Sequence, residues 1–338
     1  MNKKWMQAGL IAVMAVALAA CGAAQEQTTP SKSEGETKPA AAPASGTEAK
    51  NEAPAAAAQT KTIKYKDKEY TVPTKTDKVV ITGSMESMED ALVLGVQPIG
   101  GISVGGKFPA MFAPITGKTE SIGEKQQPNV ETVLKLKPEV ILATTKFKPE
   151  VKEKLEKIAT TIPVSHIATD WEANLKLLAE LTGKEAEAEK ALKQYKDDVA
   201  AAKAKLGDKL KDKKVMIIRL RAGNINLYPA DVFFNPSLYT DLGFAVPEQV
   251  KAAKAQEVVS MEKFSEINPD YLFVQFSEDE NKDKPKTLEE LQNNPIWKSL
   301  NAVKNGKVFV NVVDPLAQGG TAWSKINFLK AAVEKLSN

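Results

Sequence analysis

The chain is poor in the residues that enzymes and metal sites use most. It has one histidine, His166, and one cysteine, Cys21. Zinc sites draw most of their ligands from those two residue types, so their scarcity argues against a resident zinc. No run of spaced carboxylates suggests calcium, and no glycine-rich loop opens a helix as a phosphate cradle would. Disulfides need a pair of cysteines and are excluded as well. Arginine is also scarce. Arg219 and Arg221 are the only two among 46 basic residues, and the formal net charge of +3 gives no reason to expect nucleic acid as a partner. Beyond the N-terminal segment, no apolar run approaches the ~20 residues that cross a bilayer.

One stretch tempts a catalytic interpretation. Residues 101–105, GISVG, fit the pattern that presents a nucleophilic serine, here Ser103. That motif requires a strand–turn–helix context and a histidine to take the proton. Pro109 interrupts any helix that would follow, and His166 reads better as a packed or hydrogen-bonded residue ending the strand at Pro163 and Val164. A secreted hydrolase is therefore disfavoured, and no enzyme is expected.

The N-terminus carries an address. Lys3 and Lys4 precede an apolar run over 5–20, which closes with LAACG at 18–22. This predicts a signal peptide over 1–20. Cys21 is then the lipidated residue, because a diacylglycerol thioether supplies the two acyl chains that stable anchoring needs. Residues 21–60 contain no aromatic and, after Cys21, no aliphatic larger than alanine. Such a segment cannot bury enough apolar surface to offset its ordering entropy, so a disordered tether is expected. The folded part should sit on the outer face of the cell membrane, as a monomer.

Beyond the tether, buried β-rich runs alternate with helical ones. Strands are predicted at 78–82, 97–101, 140–143 and from Pro163, with helices at 84–94, 130–136 and 151–158. Ser84 should cap the first helix and Gly95 stop it. Alternation of this kind predicts a parallel sheet covered by helices. After two helical stretches divided at Thr182 and Gly183, it resumes at 215–218. In the second stretch Ala188, Leu192, Tyr195, Val199, Ala202 and Leu206 lie at steps of three and four, one face of a long helix. The expected fold is α/β. Two Rossmann-like lobes with mainly parallel sheets, residues 61–183 and 211–338, are joined by a single long helix over 184–210, with a ligand cleft between them. An internal repeat supports two related halves: ETVLKLKPEVILA at 131–143 parallels EKFSEINPDYLFV at 262–274.

In open α/β sheets, ligands bind beyond the carboxyl ends of the strands. Cations collect at such ends here. Lys146 follows the 140–145 strand, Arg219 and Arg221 follow 215–218, Lys125 precedes the 131 helix, and Lys254 lies in a loop beside Gln256. Arg219 and Arg221 are two apart, so in extended chain they point the same way. A single lysine in so lysine-rich a chain means little. Placing the only two arginines at one strand end is more telling. A compact ligand with several negative charges would suit such a cluster.

Motifs across the folded region carry a family resemblance. They are ITGSMESMED at 81–90, GKFP at 106–109, GEK at 123–125, TIPVSH at 161–166 and RLR at 219–221. VKAAKAQ at 250–256, VQFS at 274–277 and DPLAQGGTAWS at 314–324 complete the set. On these the chain resembles the siderophore-binding lipoproteins of bacterial ABC importers, within them the receptors for ferric bacillibactin and related triscatecholates. The resemblance implies that Lys125, Lys146 and Arg221 face the catecholate oxygens, with Arg219, Lys254 and Gln256 contributing. It implies no cofactor, since iron arrives already saturated by six ligand oxygens. It also implies that Glu131 and Glu262 dock one lobe each onto the permease subunits. Ala222 stands where a relative carries glutamine. A hydroxamate receptor of the same fold is the runner-up, disfavoured because its ligands are less anionic. A surface scaffold would not need both arginines at one strand end.

Overall fold

In the structure, a computed structural model, residues 59–337 are described. The expected signal peptide, Cys21 and all but the last two tether residues lie outside them. Thr60 already opens a strand. β1 (Thr60–Tyr65) and β2 (Lys68–Pro73) form an antiparallel hairpin that the sequence reading did not foresee. It buries Ile63, Tyr65 and Val72. The Tyr65 hydroxyl ties it down by donating to Asn174 Oδ1 and accepting from the Ser165 N–H at 2.8 Å.

The first lobe is built on β3 (Val79–Thr82), β4 (Gly100–Ser103), β5 (Glu120–Glu124), β6 (Gln127–Pro128), β7 (Val140–Thr144) and β8 (Thr160–Val164). Their order is β6-β5-β4-β3-β7-β8, parallel except for the β5–β6 pair. Every residue of β3 and β7 is buried, because helices cover both faces of the sheet. The helix Met85–Leu94 is capped as expected: the Ser84 side chain accepts from the Ser87 N–H, and Gly95 closes it in left-handed conformation. The second predicted strand lies slightly later than expected, at Gly100–Ser103, since Pro98 cannot donate to the ladder.

The connecting helix runs Glu185–Leu206, 22 residues, and is therefore about 33 Å long. Ala188, Leu192, Tyr195, Ala202 and Leu206 are buried as one stripe, with Val199 half-buried. Beyond it lie β9 (Val215–Arg221), β10 (Asn224–Leu227), β11 (Glu257–Val259), β12 (Tyr271–Phe276) and β13 (Val308–Val310), in the order β11-β10-β9-β12-β13. β9, β12 and β13 are parallel, whereas β9, β10 and β11 pair antiparallel. The second sheet is thus mixed, and its antiparallel half carries the arginines. The last helix, Ala322–Ser337, packs against both the connecting helix and Met85–Leu94 of the first lobe. One hydrophobic core consequently runs through both lobes.

The repeat is structural as well as sequential. Asn129 and Ser260 each cap a seven-residue helix, Val130–Leu136 and Met261–Ile267, by accepting from the N–H three residues on. Lys137 and Asn268 end those helices at φ of 50° and 46°, ahead of Pro138 and Pro269. Val133 and Phe264 are buried at the same register. Glu131 and Glu262 are exposed in the first turn of each.

Candidate ligand-binding site

β9 and β10 are joined by the two-residue turn Ala222-Gly223, with φ of 48° and 76°. Both values are positive, as in the tight hairpin turns that match strand twist. Just before it, β9 delivers Arg219 and Arg221 to the mouth of the sheet. Arg219 is buried, and its guanidinium lies 5.4 Å from the centre of the Phe233 ring. Phe233 in turn stacks on Tyr228 at 4.6 Å. Glu280 serves both arginines: its Oε2 accepts from Arg219 Nε at 2.7 Å, and its Oε1 lies 3.6 Å from Arg221 Nε.

These residues line a cavity of about 340 Å³ between the lobes. The first lobe contributes Lys125, from the turn after β5, and Lys146, from the end of β7; the second contributes Arg219, Arg221 and Gln256. Five of the six predicted ligand-site residues therefore meet at one place. Lys254, the sixth, is exposed and does not line the cavity; its backbone N–H donates to Glu257. Gln256 is held by Tyr228, whose hydroxyl donates to Oε1, and by Asn226, which accepts from Nε2. A larger, contiguous cavity of about 600 Å³ shares Val104, Asp279 and Leu316 with the first and continues past Phe108, Phe276 and Asp314.

Several lining residues were not anticipated: Glu86, Glu280, Gln318, Tyr228 and Phe233. Glu86 and Gln318 had a sequence signal, since they lie in the 81–90 and 314–324 motifs. Gln318 crosses between lobes, accepting from Lys125 Nζ at 2.9 Å while its own backbone N–H donates to Glu89 Oε1 at 2.7 Å. Desolvation holds the Lys125 ammonium below the ordinary lysine range; the Lys146 and Arg219 charges push it further down, and Glu86 and Glu280 oppose them. His166 also lines the cavity, with Nδ1 2.9 Å from Thr145 Oγ1. Burial, aided by the Lys146 charge, lowers its pKa and so favours the neutral ring. Ser103 donates to Glu124, which also accepts from the Gly105 and Gly106 N–H groups. Its hydroxyl thus helps hold a turn.

Behind the cavity the lobes are stitched by buried carboxylates. Glu89 accepts from the hydroxyls of Thr321 and Ser324 as well as from Gln318, and Asp90 accepts from the Ala322 N–H at 3.3 Å. Both belong to the first lobe's Met85–Leu94 helix and grip the start of the last helix. Burial raises Glu89 to about 7 despite its hydrogen bonds, and raises Asp90 well above its ordinary value. Gly319 and Gly320 make the close approach possible. A Cβ at Gly319 would lie 2.4 Å from the Phe233 carbonyl carbon, and one at Gly320 2.5 Å from Ala168 Cα of the first lobe.

Comparison with known proteins agrees with this arrangement. The periplasmic binding protein family matches over residues 107–311. The iron-uptake system-binding protein of Bacillus subtilis is 54% identical over 328 residues, covering 97% of either chain. The crystal structure of the B. subtilis triscatecholate siderophore-binding protein FeuA, complexed with ferri-bacillibactin, superposes with a TM-score of 0.80 at 59% identity. It covers 82% of this chain and 98% of that one. Staphylococcus aureus SirA, complexed with staphyloferrin B, matches with a TM-score of 0.70 at 29% identity, covering 82% of this chain and 98% of that one.

Proposed function

The chain belongs to the periplasmic binding protein family, and on that premise we propose that it captures a ferric triscatecholate siderophore of the bacillibactin type and delivers it to an ABC permease. The observation that carries this is the convergence of Lys125, Lys146, Arg219 and Arg221, from both lobes, on one interlobe cavity. A ferric triscatecholate presents three negative charges on a rim of oxygens around iron that needs no further ligand. Arginine keeps its charge in a partly dry site and offers a planar donor fork, while lysine adds a point charge. The aromatic floor of Tyr228 and Phe233 suits the flat catechol rings. Iron is cargo here, and no resident cofactor is invoked.

Lys254 is assigned to the outer rim, beside Gln256. Glu131 and Glu262, exposed at matching registers, are assigned to the two permease subunits, where such charges orient docking more than they add affinity. Anchoring through a lipid on Cys21 would hold the receptor at the outer face of the cell membrane, close to that permease. A hydroxamate complex of the same size, being less anionic, would gain less from these cations.

Quenching of intrinsic fluorescence on titration with ferric bacillibactin, and separately with ferrioxamine, tests the assignment. Saturable quenching by the catecholate, weakened about ten- to hundred-fold by Arg221→Ala, is the expected result, since a hydrogen bond to a charged group contributes about 1.5–3 kcal/mol. Binding of ferrioxamine alone would replace the ligand class, and quenching by neither would remove the assignment.

A further inference from the structure

The cavity's wall is not simply basic. Four carboxylates, Glu86, Glu124, Asp279 and Glu280, stand among its four lysines and arginines. Glu124 is engaged with the 105–106 turn, and Asp279 lies 3.5 Å from the Lys282 ammonium. Glu280 alone among them is ion-paired to the arginines: it accepts from Arg219 Nε at 2.7 Å and lies 3.6 Å from Arg221 Nε.

Its position is built in by the backbone. The Glu280 carbonyl accepts from the Ala222 N–H at 3.0 Å, and its own N–H donates to Ser277. Its neighbour Asn281, itself buried, accepts from the Gly223 N–H and donates to the Leu220 and Ser277 carbonyls. The 277–281 turn is thus riveted to the β9–β10 turn whether or not the carboxylate meets an arginine. The Glu280 and Arg219 side chains are only 16% and 7% exposed, so their mutual attraction is screened far less than on the surface. An isolated Arg219 charge there would be strongly destabilising.

We propose that Glu280 is the resident counter-anion of the cleft and sets the ligand charge it accepts. In the empty protein its single negative charge offsets one of the two arginine charges, pairing with Arg219 and standing beside Arg221. An incoming anion must compete with Glu280 for the two arginines, and it then stands beside a carboxylate that repels it. Only a ligand carrying several negative charges gains enough from Lys125, Lys146 and both arginines to offset that exchange. A mono-anionic iron complex does not. The proposal rests on the assignment of this cavity as the ligand site.

The test uses the full-length chain and two variants, titrated with ferric enterobactin, a trianionic triscatecholate, and followed by thermal unfolding with and without it. Glu280→Gln should bind about ten-fold tighter or better, because one repulsive charge is gone and the Arg219 Nε donor and the Arg221 charge are released to the ligand. Its ligand-free form should melt at lower temperature, with the difference closing on saturation. Glu280→Asp keeps a charge near Arg219, and so keeps the fold, but is one methylene too short to bridge both arginines. It too should bind more tightly than the wild type. Unchanged or weaker binding by Glu280→Asp, or by a folded Glu280→Gln, would overturn the proposal and make Glu280 a residue that merely positions the arginines. If the wild type itself fails to bind ferric enterobactin, the assignment of the cavity falls first, and this inference with it.

Discussion

Replacing Glu89 by glutamine should flatten the dependence of stability on pH. The carboxyl is fully buried where the last helix meets the first lobe, and it accepts from Gln318, Thr321 and Ser324. Desolvation outweighs those three bonds, and the nearby Glu86 charge adds to it, so the group moves from 4.5 to about 7. A folded-state value above the unfolded one means that the native protein binds the extra proton. The contribution of Glu89 is therefore fully present below about pH 4.5 and is lost as pH rises to about 7. Its size is about 3 kcal/mol. Asp90, also raised by burial, works in the same direction. A glutamine amide still accepts from the Gln318 N–H, and the two hydroxyls can turn to accept from it. Urea unfolding at pH 5 and pH 7.5, an interval that spans most but not all of that window, should show the wild type losing about 2 kcal/mol more than Glu89→Gln. Equal losses in the two proteins would refute the reasoning and place the titrating group elsewhere.

Three other perturbations follow from the same geometry. Gly320→Ala drives a methyl into Ala168 across the lobe junction and should cost about 1–3 kcal/mol in urea unfolding. Ala222→Asn puts a residue that tolerates left-handed backbone at φ 48° and should raise Tm by about 2 °C, read by calorimetry. Glu131→Lys, or Glu262→Lys, should abolish iron uptake by cells while leaving siderophore affinity within about two-fold, since both side chains are exposed and lie outside the cavity.

Much of the frame was legible because periodicity and caps report local physics. The six-residue stripe from Ala188 to Leu206 predicted the connecting helix, and Ser84 and Gly95 bracketed the first helix of the fold. The paired helix–proline–strand joints at Glu131 and Glu262 were visible from register alone. The Thr60–Pro73 hairpin was not, because Lys, Thr and Glu dominate it and it is held by remote partners, Asn174 and Ser165. The mixed character of the second sheet was hidden as well. β10 is only four residues long, and Ala222 gives no turn signal where asparagine or glycine would. In the site, the cations announced themselves as scarce arginines and as lysines at strand ends. Glu280 did not, and Gln318 and Glu89 stood in family motifs without a role, because an acid or amide acquires meaning only from the partner that folding brings to it. Lys254 shows the converse: closeness to Gln256 in sequence did not put it on the cavity wall.

The most direct measurement is a crystal structure of the protein soaked with ferric bacillibactin, with the iron located by its anomalous signal. The iron should lie between the lobes, ringed by Lys125, Lys146, Arg219 and Arg221 and touched by no protein atom. An iron peak in the neighbouring cavity by Phe108 and Asp314, or bonded directly to a protein side chain, would contradict it.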